Sequence, residues 1–286
     1  MKFRGAAVNI VTYNIQWGKG RDGLIDLSRI ASTVAGADII CLQEVERNWR
    51  VQEWPDQALR LAALMPDFDW IYGPAVDLAG DAQGMRRQIG NMTLSRWKIV
   101  SARNLPLPSW PVEGYMNDHQ ALLEAVVECP RPLRAYNVHL NYLSAEQRSA
   151  QLDQALGFIR SAPDWGGLVS APGLAGPGPG DEWIVLPDDK LPPMPKRCLL
   201  MGDFNTEPGS AEFSKIMAEG FADALQLFGA RPDKDITFPG HSNEHPQRLD
   251  HIFVSVELAD KLTASWVDGK AAGSDHQPVW ASLAET

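Results

Sequence analysis

The sequence predicts an α/β fold with mixed β-sheets. The chain opens with a strand, a helix and a second strand, because apolar runs at residues 7–15 and 38–44 flank residues 24–34, whose apolar positions follow helical spacing. Later apolar runs are short and follow one another at hairpin spacing, which indicates antiparallel pairs as well. No internal repeat interrupts this alternation, so an α/β fold is the simplest interpretation.

The remaining elements follow in chain order. A second helix is predicted at residues 53–65. Ser144 and Gln147 form a capping box, which predicts the start of an amphipathic helix that continues to Ile159. The other segments have the apolar, turn-bounded pattern of short strands, at residues 70–72, 91–94, 99–103, 120–129, 133–140 and 195–201, with late strands starting at Arg248 and Ser274.

Residues 161–195 are rich in glycine and proline and interrupt this pattern. Because strand-like sequence resumes directly afterwards, we interpret them as an insertion in a single domain that covers residues 1–286. A variable surface loop is the favoured interpretation. The alternative is a lid over the functional site, in which Trp165, Trp183 and Ile184 contact a substrate.

The charge balance limits the partners of this chain. It has 26 basic and 36 acidic residues, for a net charge of −10. Proteins that hold a nucleic-acid backbone are usually basic or carry a basic stripe, and the longest basic run here is Arg86 with Arg87. Nucleic acid is therefore a disfavoured partner, although a local basic patch can exist on an acidic protein.

The spacing of the cysteines and the lengths of the apolar runs indicate the cellular compartment of the protein. Cys41, Cys129 and Cys198 lie in apolar, strand-like runs without C-x-x-C spacing, which predicts reduced, buried thiols and neither disulfides nor a zinc site. No apolar run approaches the roughly 18 residues that a membrane span requires. The apolar run at residues 8–11 is too brief for a signal peptide. We therefore expect a soluble, cytoplasmic protein.

Polar side chains stand at the ends of the predicted strands. Asp203 and Asn205 follow the strand at residues 195–201, and in an extended chain they point in the same direction. A carboxylate can transfer a proton and an amide can donate or accept hydrogen bonds, so the pair suits a water nucleophile beside a developing oxyanion. Similar groups stand near the ends of other strands: Asn14, Glu44, His139, Asp250, Asp275 and His276. Such a set converging on one sheet edge is typical of a metal-assisted hydrolase.

Each of these residues also has an ordinary structural explanation. Asn14, Asp250 and Asp275 could cap turns. Glu44 could be a solvated strand end, and His139 could be a hydrogen-bonded histidine of the core. The ordered set, more than any single member, indicates a functional site.

Seven segments of the chain, six of which carry the polar strand ends, together resemble a known family. They are Thr12-Tyr13-Asn14, Leu42-Gln43-Glu44, Gly90-Asn91 with Leu94-Ser95-Arg96, Asn137-Val138-His139-Leu140, Gly202-Asp203-Phe204-Asn205, Arg248-Leu249-Asp250-His251-Ile252 and Ser274-Asp275-His276-Gln277-Pro278-Val279. Their order and composition resemble those of the endonuclease/exonuclease/phosphatase superfamily of DNase I-like, metal-dependent hydrolases. The segments extend over nearly the whole chain.

This resemblance implies a four-layer α/β sandwich, in which two mixed sheets lie face to face with helices outside and the active site at one end. It also implies that Glu44 is the main ligand of a Mg²⁺ ion, with Mn²⁺ as a substitute. Asn14 and Asp275 would assist Glu44. Oxygen ligands of this kind suit a hard divalent cation.

The resemblance further implies in-line attack of water on phosphorus. Asp203 would orient or deprotonate the water, while Asn205 and His139 would hold the developing charge on a phosphoryl oxygen. His276 would contact the scissile phosphate, with Asp250 as its carboxylate partner. The metal ion would act as a Lewis acid and stabilise the leaving oxygen.

Two positions depart from the pattern of the superfamily. Gln16 stands where some DNA-repair relatives carry an aspartate that contributes to the metal site, which disfavours a second metal there. His119 and Gln120 stand where relatives often carry an arginine, so a phosphate clamp is not expected at this point.

The leading hypothesis is therefore a Mg²⁺-dependent phosphodiesterase or phosphatase that acts on a small-molecule or lipid-derived phosphate ester. The alternative is an endo- or exonuclease, because the catalytic apparatus is shared. A non-catalytic binding module is disfavoured, since the acidic residue, the amide and both histidines are all present. Trp110 and Tyr115, with their neighbours Pro111 and Met116, are further candidates for a wall that contacts the substrate.

Overall fold

The computed structural model of the protein describes residues 7–50, 55–169, 191–231, 234–240 and 245–284. The strands are β1 (Ala7–Asn14), β2 (Ile39–Arg47), β3 (Asp69–Ala79), β4 (Arg86–Ser95), β5 (Ile99–Pro106), β6 (Ala121–Val127), β7 (Leu133–His139), β8 (Cys198–Asp203), β9 (Phe221–Asp223), β10 (Asp250–Ser255), β11 (Leu262–Val267) and β12 (Val279–Ala284). The α-helices are α1 (Leu27–Val34), α2 (Gln57–Leu64), α3 (Ala145–Trp165), α4 (Ala211–Ala218), α5 (Ala224–Leu227) and α6 (Val256–Ala259).

The strands form two six-stranded mixed sheets. The first sheet has the order β11-β12-β1-β2-β4-β3, and the second has the order β5-β6-β7-β8-β10-β9. Each sheet contains one parallel pair, β1 with β2 and β7 with β8, and its other pairs are antiparallel. The sheets stack face to face with helices on their outer faces. The predicted α/β fold with mixed sheets is confirmed, and so is its four-layer, DNase I-like form.

Three apolar clusters correspond to the interfaces between these layers. The cluster between the sheets includes Ile10 from the first sheet and Ile252 from the second. A second cluster packs α1 and α2 against the first sheet, with Ile30 and Leu61 fully buried. The third packs α3 and α4 against the second sheet and includes Phe213. Burial of each such side chain stabilises the folded state by about 1.5–3 kcal/mol. Together the three clusters therefore hold the sheets and helices in this order of layers.

A buried amide joins the two sheets next to the strand ends. Asn137 on β7 donates hydrogen bonds from Nδ2 to the carbonyl oxygens of Leu42 (3.1 Å) and Met92 (3.0 Å), which belong to the facing sheet. Its Oδ1 accepts a hydrogen bond from Gln43 Nε2 at 2.7 Å. A buried polar group is tolerated only when it is paired, so this bridge specifies how the sheets lie across one another.

Several element boundaries differ from the sequence predictions. Helix α3 continues to Trp165, so the first five residues of the predicted insertion at 161–195 are helical. Residues 170–190, with Trp183 and Ile184, lie outside the described residues, so neither the loop nor the lid interpretation is tested. The elements that the patterns missed are a 3₁₀ turn at Gln16–Gly18 and the late elements β9, β11, α4, α5 and α6.

The described helices include none that is both long and apolar enough to cross a membrane.

The cysteine side chains are buried in the core, as the sequence predicts. Burial raises the pKa of Cys41 to about 12 and that of Cys198 to about 11. Because the thiolate is the reactive form, we expect both thiols to resist a disulfide reagent such as DTNB at pH 8 in the folded protein. Full labelling should follow only after unfolding in guanidinium. Rapid labelling of Cys41 or Cys198 in native buffer would contradict the burial of these groups.

Candidate active site

The topology brings the predicted catalytic residues to one edge of both sheets. Asn14 is the last residue of β1, His139 the last of β7 and Asp203 the last of β8. Strand β10 is antiparallel to β8 and pairs Asp250 directly with Asp203. Because β7 and β8 are parallel, His139 also lies opposite Asp203 in the register. Side chains that are distant in sequence therefore meet around Asp203.

Glu44 reaches this edge through a β-bulge. The sequence patterns predicted that β2 closes at Gln43 and Glu44, but this is wrong, because the strand continues to Arg47. The register against β4 shifts between Leu42 and Val45, and Glu44 has a left-handed φ of 59°. A bulge re-aims a side chain without ending the strand, and here it places the Glu44 carboxylate in the cavity described below.

Asn14 bridges two carboxylates. Its Nδ2 donates to Glu44 Oε1 at 3.0 Å and to Asp203 Oδ2 at 2.9 Å. Its Oδ1 accepts the backbone N–H of Gln16 at 3.1 Å. The amide nitrogen therefore faces the carboxylates, and metal coordination through Oδ1 would require the amide to turn over.

Asp250, His276 and Asp203 form a buried acid–base group. His276 Nδ1 lies 2.8 Å from Asp250 Oδ2, and His276 Nε2 lies 3.7 Å from Asp203 Oδ2. Burial lowers the pKa of His276, but the carboxylates of Asp250 and Asp203 outweigh this effect and raise it to about 10. The aromatic ring of Phe238 lies 5.0 Å from the imidazole. His276 is thus held as a cation with its Nε2 toward Asp203.

The prediction that Asp203 and Asn205 project together from an extended chain is wrong. Strand β8 ends at Asp203, and Asn205 has a left-handed φ of 49°. The turn is closed by the Asn205 backbone N–H, which donates to Asp203 Oδ1 at 2.9 Å, and Asn205 Nδ2 donates to the Leu140 carbonyl oxygen at 2.9 Å. Both side chains still reach the cavity, but a tight turn, not strand alternation, brings them there.

Glycine is required just before this turn. Gly202 has a φ of +147°, and a Cβ there would lie 1.8 Å from the carbonyl oxygen of Val138 on the neighbouring strand. Only a residue without a side chain lets β7 and β8 approach this closely. The glycine in Gly202-Asp203-Phe204-Asn205 is thus a steric requirement for placing Asp203.

Asp275 is held beside the same edge by Gln16. Gln16 Nε2 donates to Asp275 Oδ2 at 2.6 Å, and Ser274 Oγ donates to Asp275 Oδ1 at 3.2 Å. Ser274 Oγ also lies 2.8 Å from the carbonyl oxygen of Asn14, which ties the loop before β12 to β1. The glutamine at position 16, where some relatives carry an aspartate, therefore has a structural consequence. Its side-chain amide donates a hydrogen bond to the Asp275 carboxylate.

Six of the predicted site residues line a cavity of about 610 Å³, namely Glu44, His139, Asp203, Asn205, Asp275 and His276, whereas Asn14 and Asp250 are not among its described lining residues. Four carboxylates face it, but none of its described lining residues is a lysine or arginine. Burial raises the pKa of the Glu44 carboxyl, and His139 and the Asn14 hydrogen bond counteract this only in part. The acids lining the cavity are Glu44, Asp118, Asp203 and Asp275, and the histidines are His119, His139 and His276.

The donor set fits a divalent metal ion. Several carboxylates face one cavity whose described lining supplies no lysine or arginine to neutralise them, and oxygen ligands of this kind suit Mg²⁺ or Mn²⁺. A second group, Asp203, Asp250 and His276, offers ligand atoms within 4.8 Å of one another. In that group the Asp250–His276 hydrogen bond already uses Nδ1, and a ligating histidine must be neutral. A hard cation prefers oxygen ligands such as the Glu44 carboxylate, which lies outside that group.

The aromatic wall of the cavity differs from the predicted one. Trp110 and Tyr115, with Pro111 and Met116, do not line it, because Asn117 and Gln147 hold their loop against the start of α3 through the Trp110 carbonyl oxygen. Trp165 is exposed at the end of α3 and does not line it either. The aromatic residues that do line it are Trp17, Tyr142 and Phe238.

Sequence reasoning missed Trp17 although a signal was present. Trp17 follows the Tyr13-Asn14 strand end by only a few residues, and it has a left-handed φ of 47° inside a short 3₁₀ turn. The guanidinium of Arg50 lies 4.0 Å from the centre of its ring. Backbone strain of this kind concentrates at functional sites. In the sequence, the signal that could have identified Trp17 was a large aromatic residue shortly after the Tyr13-Asn14 motif.

Known structures share this fold. One is an endonuclease/exonuclease/phosphatase from Beutenbergia cavernae, with 22% identity over 98% of this chain and 72% of that chain, and a TM-score of 0.69. TDP2 from Caenorhabditis elegans has 17% identity over 98% of this chain and 74% of that chain, with a TM-score of 0.62. A mannosyl-6-phosphatase from Bacteroides thetaiotaomicron has 18% identity over 96% and 98%, with a TM-score of 0.63. No curated protein sequence matches the chain.

A family model agrees with these structures and with the seven motifs. The model of the endonuclease/exonuclease/phosphatase family matches residues 11–276, which include every residue of the candidate site. Its members are phosphoesterases and nucleases that usually depend on a divalent metal ion, in keeping with the acidic cavity. The protein therefore belongs to the endonuclease/exonuclease/phosphatase family.

Proposed function

We propose that the protein hydrolyses phosphate esters of small, uncharged organic groups with the help of Mg²⁺. The observation that supports this most directly is the charge of the cavity. Its described lining holds four carboxylates and no lysine or arginine. A bound divalent cation would offset part of this negative charge and help one phosphate group to approach, whereas a second phosphate would meet further uncompensated negative charge.

The remaining lining of the cavity suits a polar but neutral leaving group. Trp17 and Tyr142 offer aromatic faces, and Asp118, Gln120 and Gln247 offer hydrogen-bonding groups. Aromatic faces beside amides and carboxylates can bind the C–H faces and hydroxyl groups of a sugar or another polyol. The similarity in fold to a mannosyl-6-phosphatase supports the same substrate class.

The chain supplies the groups for attack by water. Asp203 is proposed as the general base, since its Oδ1 and Oδ2 are held by the Asn205 backbone and by Asn14. His276, fixed by Asp250, presents Nε2 toward Asp203 and would donate to the phosphoryl group as negative charge develops.

Further residues are proposed to bind the phosphoryl oxygens and the metal ion. His139, whose Nε2 lies 3.6 Å from Asp203 Oδ2, and Asn205 are proposed to hold the phosphoryl oxygens. Glu44 would hold the metal ion, with Asp275 and Asn14 beside it. A bound ion of this kind acts as a Lewis acid toward a phosphoryl oxygen and stabilises the leaving oxygen.

A nuclease remains the second candidate. The fold resembles that of TDP2, and the proposed catalytic groups do not depend on the leaving group. The net charge of −10 and the acidic cavity weigh against a polyanionic substrate. We therefore rank nucleic acid below small esters.

A substrate panel with Mg²⁺ tests this proposal. It should contain sugar and polyol phosphates, lipid phosphodiesters, nucleotides, supercoiled plasmid and single-stranded RNA, each also assayed with EDTA and with Asp203→Asn. We expect the highest kcat/KM on a sugar or polyol phosphate and little plasmid nicking. Strong, steeply salt-sensitive nicking would overturn the substrate class, and Mg²⁺-independent turnover would overturn the proposed metal.

Replacement of Glu44 tests the metal site separately from turnover. In Glu44→Gln we expect the affinity for Mg²⁺ to fall at least about 100-fold, because loss of even an outer partner of a metal ligand commonly costs 10–100-fold. Isothermal titration with Mg²⁺ measures this directly. The exposed residue Glu146 on α3 provides the control Glu146→Gln, which should bind as the wild type does. Unchanged binding in Glu44→Gln together with loss in Asp250→Asn would place the ion at the Asp203–Asp250–His276 group instead.

A further inference from the structure

A second pocket lies at the opposite end of the sandwich from the active site. It has a volume of about 250 Å³ and includes Leu133, the first residue of β7, whereas His139 of the active site is the last. At 3.3 Å per residue the two ends of this strand are roughly 20 Å apart. We call this the distal pocket, and it shares no residue with the cavity around Asp203.

The floor of the distal pocket is apolar. It is formed by Val8, Leu133, Leu258 and Leu283, all of which belong to the core between the two sheets. The pocket therefore opens directly onto that core. A water molecule occupies about 30 Å³ of liquid, so the volume corresponds to about eight water molecules and suits a small organic ligand.

Three cationic residues line the same pocket, namely Arg131, Arg197 and Lys261, and no acidic residue is among its described lining. This is unusual in a chain with a net charge of −10. Two of the three are fixed through their backbones: the Arg197 carbonyl oxygen accepts the N–H of Arg134 on β7, and the Lys261 carbonyl oxygen accepts that of Ala284. Lys261 also pairs with Asp260 at 3.2 Å.

Within the described part of the chain, Arg197 carries a donor without a partner. Its Nε is buried and makes no hydrogen bond with the described residues. Burial and repulsion from Arg131 lower the pKa of Arg197. A buried, unsatisfied donor beside a like charge costs folding free energy unless an anion is bound there.

We propose that the distal pocket binds a small organic anion. Its charged head group would lie between Arg131, Arg197 and Lys261, and its apolar tail would lie on the floor formed by the four core residues. Guanidinium groups suit carboxylate and phosphate head groups because they donate two parallel hydrogen bonds. The site is independent of the proposed hydrolytic activity.

Octanoate is a suitable probe, since it joins a carboxylate to a tail of the right size. We expect saturable binding of octanoate by isothermal titration without Mg²⁺, and much weaker binding of acetate, which lacks the tail, and of 1-octanol, which lacks the charge. Arg197→Met should weaken octanoate binding about 10–100-fold, as expected for a charge-assisted hydrogen bond. Lys196→Ala removes an exposed neighbouring cation and should change nothing.

The melting temperature distinguishes a ligand-binding role of Arg197 from a structural role. If Arg197 serves to bind a ligand, then without octanoate the melting temperature of Arg197→Met should equal or exceed that of the wild type. Octanoate should raise the melting temperature of the wild type but not that of Arg197→Met. Asp203→Asn should retain octanoate binding, because the active site is not involved. The proposal is overturned if octanoate does not saturate, if 1-octanol binds equally well, or if both Arg131→Met and Arg197→Met bind as the wild type does.

Discussion

Asp203→Asn is expected to lower kcat on the best phosphate ester by about 1,000-fold and to change KM little. General-base catalysis contributes about 100- to 10,000-fold, and the asparagine cannot accept the proton of the attacking water. The substitution keeps the shape of the side chain and an oxygen for the Asn205 backbone N–H, which Asp203 Oδ1 accepts at 2.9 Å. The new amide nitrogen would face Asn14 Nδ2, so the Asn14 amide has to turn over, and the effect should still appear mainly in turnover. Steady-state kinetics with saturating Mg²⁺ measures it.

Two controls make this result interpretable. Asp153→Asn removes a carboxylate on α3 that pairs with Lys215 at the surface, and it should have wild-type activity. Asp203→Ala should lose as much activity as Asp203→Asn if proton transfer is what matters. If Asp203→Asn retained most of its activity while Asp203→Ala lost it, Asp203 would be a positioning residue, and another group would have to activate the water.

Strand ends were the part of the site that the sequence could predict. A strand signal depends on local apolar alternation, and residues that follow it are placed at a sheet edge by geometry alone. Asp203, His139 and Asn14 follow such signals and do lie together. Their convergence still depends on the strand order, which brings β1 and β8 to one end of facing sheets and which local patterns do not encode.

Irregular backbone was the part that the sequence could not predict. Glu44 reaches the cavity through a bulge, and Asn205 through a left-handed turn. At Glu44 the local pattern predicts the end of a strand that in fact continues, and at Asn205 it predicts an extended chain that in fact turns; tertiary packing decides both. The aromatic wall was missed for the same reason, because Trp17 faces the cavity only as a result of two successive left-handed residues, Gln16 and Trp17.

Asp223→Asn is expected to lower the free energy of unfolding by about 3–5 kcal/mol, the usual cost of leaving one partner of a buried ion pair behind. Asp223 is 1% exposed, and its Oδ1 accepts Arg248 Nη2 at 2.6 Å. Its Oδ2 lies 3.3 Å from His251 Nδ1, and the opposite ring nitrogen of His251 lies 2.9 Å from the Thr206 carbonyl oxygen. Loss of the charge would leave the buried guanidinium of Arg248 uncompensated.

This network adjoins the Asp250–His276 pair of the candidate site. Arg248 and His251 flank Asp250 at the start of β10, and Thr206 follows the turn that carries Asn205. Urea unfolding measures the loss, with Asp153→Asn as a surface control that should change stability by less than about 1 kcal/mol. The double variant Asp223→Asn with Arg248→Met should recover part of the loss, because it removes the unpaired charge as well. A double variant no more stable than Asp223→Asn would show that the loss does not come from the ion pair.

The pH dependence of this loss has a defined direction. Burial raises the pKa of Asp223, but the hydrogen bond from His251 and the charges of His251 and Arg248 outweigh it, so the pKa lies below its ordinary value. An acid with a lowered pKa in the folded state stabilises the protein above its ordinary value of about 4 and ceases to do so as the pH falls through the folded pKa. The difference in unfolding free energy between wild type and Asp223→Asn should thus be constant near neutral pH and shrink below about pH 4. If this difference in unfolding free energy stayed constant below about pH 4, the carboxylate charge of Asp223 would not be what holds Arg248 and His251. The stability of the start of β10 would then have another cause.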